Sequence, residues 1–251
     1  VCRTIYRTWD GNHHNRWVNL HFLLGIVMTA FTAAFPTETI GDWVFDLDNT
    51  IYPAKTNLFR RVSVRITEFV ASHYNVSAND ARVIQKDLFH RYGTTMRGMM
   101  SEENIDPDVY LNYVHDIDVS DLNHDSELDG LISSLPGLKH IFTNGTVRHA
   151  ENILSAYGVR HHFDQIFDIV AANYIPKPDP QAFDCFLNQT GIDPNGAVMI
   201  EDMAANLRPA AALGMRTVWL VSDIEWASRG SDESFVQYKA DDLKGFLRSL
   251  V

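Results

Sequence analysis

Two aspartates one residue apart, Asp46 and Asp48, close an apolar run that begins at Trp43, and a turn through Asn49 and Thr50 follows. Such a run reads as a buried strand that delivers carboxylates to its carboxyl end. In an open parallel sheet the crevice beyond the strand ends is where ligands bind, so acidic residues there are placed for chemistry rather than for stability. Taken alone, the D-x-D-x-T pattern reads first as a strand capped by an acidic turn, because short motifs often match by chance. Three further stations reverse that reading: Thr143 and Asn144, Lys177 between Pro176 and Pro178, and Glu201 and Asp202 with Asn206 four residues beyond. Thr143 offers a hydroxyl, and the backbone N–H groups after it open a helix, so both can bind phosphate oxygens. The flanking prolines restrict the backbone around Lys177 and hold its positive charge in place. Asn206 shares a helix face with Asp202, suited to orienting the acidic pair or Lys177.

Each station sits at the end of an apolar segment. The segments His140–Asn144, Ile166–Ala171, Ala197–Ile200 and Thr217–Val221 read as strands, with helices at Val147–Tyr157, Gln181–Gln189 and Ala204–Leu213 between them. Strands that are unbroken apolar runs alternating with helices predict a doubly wound parallel sheet covered on both faces. After Pro53 the period changes for some eighty residues. Leu58, Val62, Ile66, Phe69 and Val70 recur at helical spacing. Ser77 with Asp80 resembles a helix start, Gly93 a helix stop, and Asp106-Pro107 another start. The expected organisation is therefore a core of residues 41–52 and 136–251, an α-helical insertion over 53–135, and an extension of doubtful status over 1–40.

The order and spacing of these four stations resemble the haloacid dehalogenase superfamily of phosphotransferases, from residue 43 to residue 221. The resemblance implies a Rossmann-like core with a helical cap inserted over the site. It implies that Asp46 is a nucleophile that forms an aspartyl-phosphate, splitting one difficult hydrolysis into two easier steps. Asp46, the backbone carbonyl of Asp48 and Asp202 would hold Mg²⁺, with Glu201 acting through a water, since a hard cation prefers oxygen ligands. Asp48 would be the general acid for the leaving oxygen and then the base for the incoming water, which calls for a raised pKa. Thr143 and Asn144 would bind the phosphate, and Lys177 would shield it. The dehalogenase branch needs no acid at the position of Asp48, so that residue favours phosphoryl transfer.

Within the insertion, Arg91-Tyr92-Gly93-Thr94-Thr95-Met96-Arg97-Gly98 places two threonines and an arginine beside a glycine turn. By composition alone this is a helix–loop–helix connection with core methionines. Together with Asp46-Leu47-Asp48-Asn49-Thr50-Ile51-Tyr52-Pro53, Phe142-Thr143-Asn144-Gly145-Thr146 and Glu201-Asp202-Met203-Ala204-Ala205-Asn206-Leu207, it resembles the pyrimidine 5′-nucleotidase branch. That implies removal of the 5′-phosphate from UMP or CMP, with Thr94, Thr95 and Arg97 as substrate contacts from the cap. Another small-metabolite phosphatase, for a sugar phosphate or phosphoglycolate, is the alternative enzyme; a catalytically retired phosphate-binding protein is the alternative of another class.

The composition is consistent with this. A chain of 251 residues, 45% hydrophobic, can bury a large α/β core. Its 32 acidic residues against 21 basic give a formal charge of −11, which repels nucleic-acid backbones and offers no broad basic face to anionic membranes. The expected partner is a small phosphorylated molecule; oligomeric state is left open. Two cysteines, Cys2 and Cys185, are too few for a disulfide framework and point to the cytoplasm, with Cys185 as a core thiol. His161-His162 reads as a polar turn rather than a metal site, and His149 is the one histidine close enough to the phosphate station for a supporting role. The chain does not begin with methionine, Met28 precedes the first strand, and Leu20–Phe35 is mostly apolar. Residues 1–27 are expected to lie upstream of the true start, with secretion or anchoring as the alternative if that run is real.

Overall fold

The computed structural model describes residues 35–251 except 223 and 225. The expectations for the amino-terminal extension and for Cys2 fall outside the described residues. Six strands, β1 (Asp42–Phe45), β2 (Leu138–Phe142), β3 (Gln165–Phe167), β4 (Ala197–Glu201), β5 (Arg216–Leu220) and β6 (Tyr238–Ala240), form one sheet in the order β3-β2-β1-β4-β5-β6. Every pairing is parallel.

The strand order reverses between β1 and β4, which makes their carboxyl ends the switch point where a ligand crevice opens in this kind of sheet. Side chains alternate across β1: Trp43 and Phe45 join one apolar cluster with Ile141, Ile153 and Leu247, and Val44 joins another with Phe142, Met199 and Phe183. Both faces of the sheet are thus covered, as the apolar runs require. On these faces pack α5 (Ser126–Ser134), α6 (Val147–Ala156), α7 (Pro180–Thr190), α8 (Leu207–Leu213) and α9 (Leu243–Arg248). Cys185 packs partly buried against the second cluster, reduced and unpaired.

Four helices, α1 (Leu58–Tyr74), α2 (Ala78–Tyr92), α3 (Thr95–Glu103) and α4 (Pro107–Val114), follow β1 and gather around their own cluster of Val70, Leu88, Met96, Met99, Tyr110 and Leu111. Ser77 caps α2 by accepting from the Asp80 N–H at 3.2 Å, and Asp106 caps α4 ahead of Pro107. The glycine turn falls at Gly93, which ends α2 with φ +83°, and α3 begins two residues later. Thr94 caps it by accepting the Arg97 N–H at 3.1 Å, and Gly98 lies inside the helix, where a Cβ would sit 2.7 Å from Leu88 Cδ2. That glycine permits close helix contact rather than a turn. Although α5 falls within the sequence range of the insertion, its Leu128 and Ile132 belong to the cluster beneath β1.

The strand expected over Ile166–Ala171 ends at Phe167. Asp168 takes the chain off the sheet, accepting the N–H groups of Val147 and Ala171, both at 2.9 Å. Among the described residues no helix is long and apolar enough to cross a membrane.

Candidate active site

Asp46 lies one residue beyond β1, and its N–H still bonds to the Ile200 carbonyl at 3.0 Å, so the ladder itself fixes the carboxylate. Glu201 ends β4 alongside it, and Asp202 follows. Lys177, 2% exposed, arrives from the loop before α7. Its ammonium donates to Asp46 Oδ1 at 2.7 Å, Glu201 Oε2 at 2.8 Å and the Phe142 carbonyl at 2.6 Å. Three protons meet three acceptors, which is how a fully buried ammonium is tolerated. Glu201 is held from its other oxygen by the Met203 N–H at 3.1 Å, and the Asp202 carbonyl by the Trp219 indole at 2.7 Å.

One lysine faces three buried carboxylates here, and the electrostatics record the imbalance. Burial and then Glu201 push Asp46 up to about 7, against the pull of Lys177. Burial, Glu201 and Asp46 raise Asp202 well above the carboxylate range. Burial lowers Lys177, but Asp46 and Glu201 outweigh it and keep the amine charged. A hard divalent cation fits this surplus of negative charge, and the acceptor oxygens of Asp46, Glu201 and Asp202 lie within 4.8 Å of one another.

Asp48 sits beyond the turn, its Oδ1 accepting from the Tyr52 hydroxyl and paired with His149 Nε2 at 3.0 Å. His149 is held by its N–H to Thr146 Oγ1 at 3.2 Å and stacks on His115 from the end of α4, with ring centroids 4.4 Å apart. Thr146 Oγ1 also contacts His115 Nδ1 at 3.2 Å, and burial drives His115 down to about 3, so its ring is neutral. The raised pKa expected for Asp48 is not found. Burial pushes it up, but His149 and the Tyr52 hydroxyl outweigh burial and hold it below its ordinary value. Sequence reasoning missed Tyr52 and His115. Tyr52 carried a readable signal, a hydroxyl four residues beyond Asp48 in the same turn; His115, a single histidine after a helix, carried none.

Thr143 and Asn144 emerge together at the end of β2, but their side chains have separate tasks. Thr143 is buried and accepts the Gly145 N–H at 2.9 Å. Asn144 grips the backbone of Lys177, accepting its N–H at 2.8 Å and donating to its carbonyl at 3.3 Å. The residue read as a phosphate contact therefore has its amide engaged in positioning the lysine loop. Asn206 is buried beside the acidic pair with its Oδ1 unpartnered, and it makes no hydrogen bond to Asp202 or Lys177.

A cavity of about 560 Å³ opens above these groups, walled by Asp46, Asp48, Lys177 and Asp202 below and by the helices after β1 above. Phe59, Phe89, Met96 and Trp226 make its upper wall largely apolar, and Phe89 meets Trp226 edge-on with centroids 5.7 Å apart. Thr94 and Thr95 reach the wall, though Thr95 Oγ1 is already bonded to the Gln85 carbonyl at 3.3 Å. Arg97 does not line this cavity. Its guanidinium faces Asp179 at 3.6 Å in a separate pocket beside Pro176 and Pro178. Arg97 lies in the first turn of α3, three residues after the Thr94 cap, and its side chain is taken up by Asp179 instead of the cavity.

Comparison with known proteins identifies the family and the fold. Residues 44–214 match the haloacid dehalogenase-like hydrolases, and the chain belongs to that family. It is 34% identical over 82 residues to haloacid dehalogenase-like hydrolase domain-containing protein 3 of Bos taurus, covering 32% of each chain. A second match, 35% identical over 71 residues to bifunctional epoxide hydrolase 2 of Sus scrofa, spans 28% of this chain and 12% of that protein's length. The HAD phosphatase from Thermococcus onnurineus superposes with a TM-score of 0.56 at 16% identity, covering 84% of this chain and 98% of that one. The L-2-haloacid dehalogenase PA0810 does so with a TM-score of 0.53 at 15% identity, covering 84% and 100%. At such identities the shared feature is the fold, and both phosphatases and dehalogenases carry it.

Proposed function

We propose that this hydrolase is a Mg²⁺-dependent phosphomonoesterase that works through an aspartyl-phosphate, with pyrimidine nucleoside 5′-monophosphates as its substrates. The observation that carries the reading is Asp48. A second carboxylate, two residues beyond the nucleophile and gripped by Tyr52 and His149, is what an ester oxygen leaving phosphorus needs and what displacement of a halide does not.

In the proposed reaction an oxygen of Asp46 attacks phosphorus, and the bond to the ester oxygen breaks while Asp48 delivers a proton to it. Water then attacks the phosphorus of the aspartyl-phosphate, Asp48 takes its proton, and Asp46 is regenerated with release of inorganic phosphate. The ionised state of Asp48 suits the second step directly. For the first, the negative charge of a phosphate bound beside Asp48 favours its protonation, the like-charge effect that raises carboxylate pKa values. Lys177 neutralises part of the charge gathered at Asp46, whereas the N–H groups of Gly145, Val147 and His149 at the start of α6 are taken up by Thr143, Asp168 and Thr146. Asp46, Asp202 and Glu201 are the residues that would hold Mg²⁺, together with the carbonyl of Asp48. The ion, when bound, offsets the repulsion between the attacking carboxylate and the phosphate.

The apolar upper wall supports the nucleotide assignment, since Phe59, Phe89, Met96 and Trp226 offer flat or adaptable surface to a base. The test is release of phosphate from a panel of nucleoside monophosphates, sugar phosphates and phosphoglycolate, with Mg²⁺ and with chelator, beside halide release from 2-haloacids. Mg²⁺-dependent preference for UMP and CMP is the expected result. Preference for a sugar phosphate or phosphoglycolate would overturn the nucleotide assignment, and halide release without phosphate release would overturn the phosphatase reading.

A further inference from the structure

Away from the catalytic cavity, three histidines surround one carboxylate. Asp129, in the first turn of α5, has its Oδ1 2.6 Å from His162 Nε2 and 3.4 Å from His161 Nε2, and its Oδ2 3.7 Å from His124 Nε2. The donor atoms of Asp129, His161 and His162 all lie within 4.8 Å of one another. We propose that Asp129, His161 and His162 form a second metal site, for a divalent transition ion and best suited to Zn²⁺, with the fourth position open to solvent and His124 beside the far carboxylate oxygen of Asp129.

The chemistry of the donors sets this site apart from the acidic one. Imidazole nitrogens suit Zn²⁺, Cu²⁺ and Ni²⁺, whereas an all-carboxylate set suits Mg²⁺. Zinc bonds to nitrogen and oxygen at about 2.0–2.2 Å in a tetrahedron place neighbouring ligand atoms roughly 3.3 Å apart. The separation from Asp129 to His161 lies near that value. The other, to His162, is a hydrogen-bond length and must open by about 0.7 Å to admit an ion of that geometry.

The cluster is also held in place before any ion arrives. His162 has a side chain only 12% exposed, and with His161 it lies on the short helical turn Arg160–His162 that follows α6. His124 lies flat against Gly158, where a Cβ would come 2.1 Å from its ring, and Gly158 has φ +76°. The next residue, Asp125, donates its N–H to the Tyr157 carbonyl at 3.0 Å and caps α5. The segment 124–129 is therefore already docked on 157–162, and an ion would tie the two together. His161, with a side chain 65% exposed, leaves the site open to solvent for entry. In sequence Asp129 lies more than thirty residues before the histidine pair, which is why the pair alone reads as a polar turn.

The test is a titration of the full chain, stripped by chelator and returned to saturating Mg²⁺ so that the acidic site is filled, with Zn²⁺ followed by calorimetry and Co²⁺ followed by its visible absorption. One equivalent of Zn²⁺, and intense tetrahedral Co²⁺ bands, are expected. His161→Ala and Asp129→Asn should each weaken binding by more than about tenfold, since losing even an outer-shell partner costs 10–100-fold. Asp46→Asn should leave it intact. Circular dichroism of the variants checks folding, and His161, being exposed, tolerates alanine. Zinc should also raise the melting temperature of the wild type but not of His161→Ala, because an ion that binds only the folded chain stabilises it. Absence of Zn²⁺ binding in the presence of Mg²⁺ would overturn the proposal. So would binding that both variants retain, which would place the ion on other residues such as His13, His14 and Cys2.

Discussion

The floor and the upper wall of the cavity are built on opposite principles. On the floor, Lys177 has all three of its protons bonded, Glu201 is held from both oxygens, and Asp48 is gripped by two side chains. The sheet ladder and short hydrogen bonds fix every reacting group. The upper wall is built mainly of apolar side chains, Phe59, Val62, Phe89, Met96 and Trp226, with Thr95 bonded to the Gln85 carbonyl and Arg97 outside the cavity on Asp179. A rigid polar floor can perform one kind of chemistry on many substrates, and an adaptable apolar wall can change which substrate is admitted without disturbing that chemistry.

This contrast can be broken at either surface. The largest effect belongs to the floor: Asp46→Asn should lower phosphate release about 10⁴-fold or more, the scale at which removal of a nucleophile registers in kcat. Next comes Asn144→Ala, which frees the Lys177 backbone without touching any reacting atom. A misplacement of the order of an ångström costs about 100-fold, so kcat should fall by that order while KM changes little. If KM rose instead, Asn144 would be a substrate contact after all. On the wall, Phe89→Ala should raise KM for a nucleotide about tenfold, the lower range of one base–aromatic contact, and leave turnover of a small aryl phosphate nearly unchanged. Equal loss on both substrates would show that the wall is part of the chemistry.

A smaller effect concerns stability. Asp46 is raised to about 7, so between its unfolded value near 3.8 and about 7 the folded state binds the extra proton. Metal-free protein should therefore become less stable as pH rises from about 5 to about 8, with a fall of several degrees in melting temperature. Added Mg²⁺ should restore stability most at the upper end of that range. A melting temperature flat with pH would contradict the surplus of negative charge on the floor. The smallest effect is Arg97→Ala: paired with Asp179 outside the cavity, it should alter nucleotide KM less than about threefold, within the usual worth of an exposed ion pair. A larger rise would restore the contact that the sequence suggested.

The floor was legible in the sequence because each of its stations is anchored by a strand end. An apolar run that stops at Asp46, Thr143 or Glu201 states both the element and the position of the polar residue on it. Parallel pairing then brings those ends together regardless of the loops between. The wall was not legible in the same way. The glycine stop at Gly93 was readable, but the partner that draws Arg97 away from the cavity, Asp179, comes from another part of the chain, and the need for Gly98 is set by Leu88 on the neighbouring helix. The role of Asn144 was hidden because an amide beside a phosphate station can serve the substrate or the scaffold, and only the neighbouring Lys177 loop decides. Likewise Asp48 was expected to be raised by burial, and the two residues that reverse this, His149 and Tyr52, come from different elements. The short β6 and α9, and the early end of β3, were missed because three-residue strands and a six-residue helix carry too little periodicity to read.

The proposed mechanism turns on covalent phosphorylation of Asp46. It is tested most directly by mixing the protein with Mg²⁺ and excess ³²P-labelled UMP or CMP, quenching in acid during turnover, and locating the label by peptide mass spectrometry. A hydroxylamine-sensitive acyl phosphate is expected on the peptide carrying Asp46, absent from Asp46→Asn. Phosphate released at full rate with no label on Asp46, or label that persists in Asp46→Asn, would contradict it.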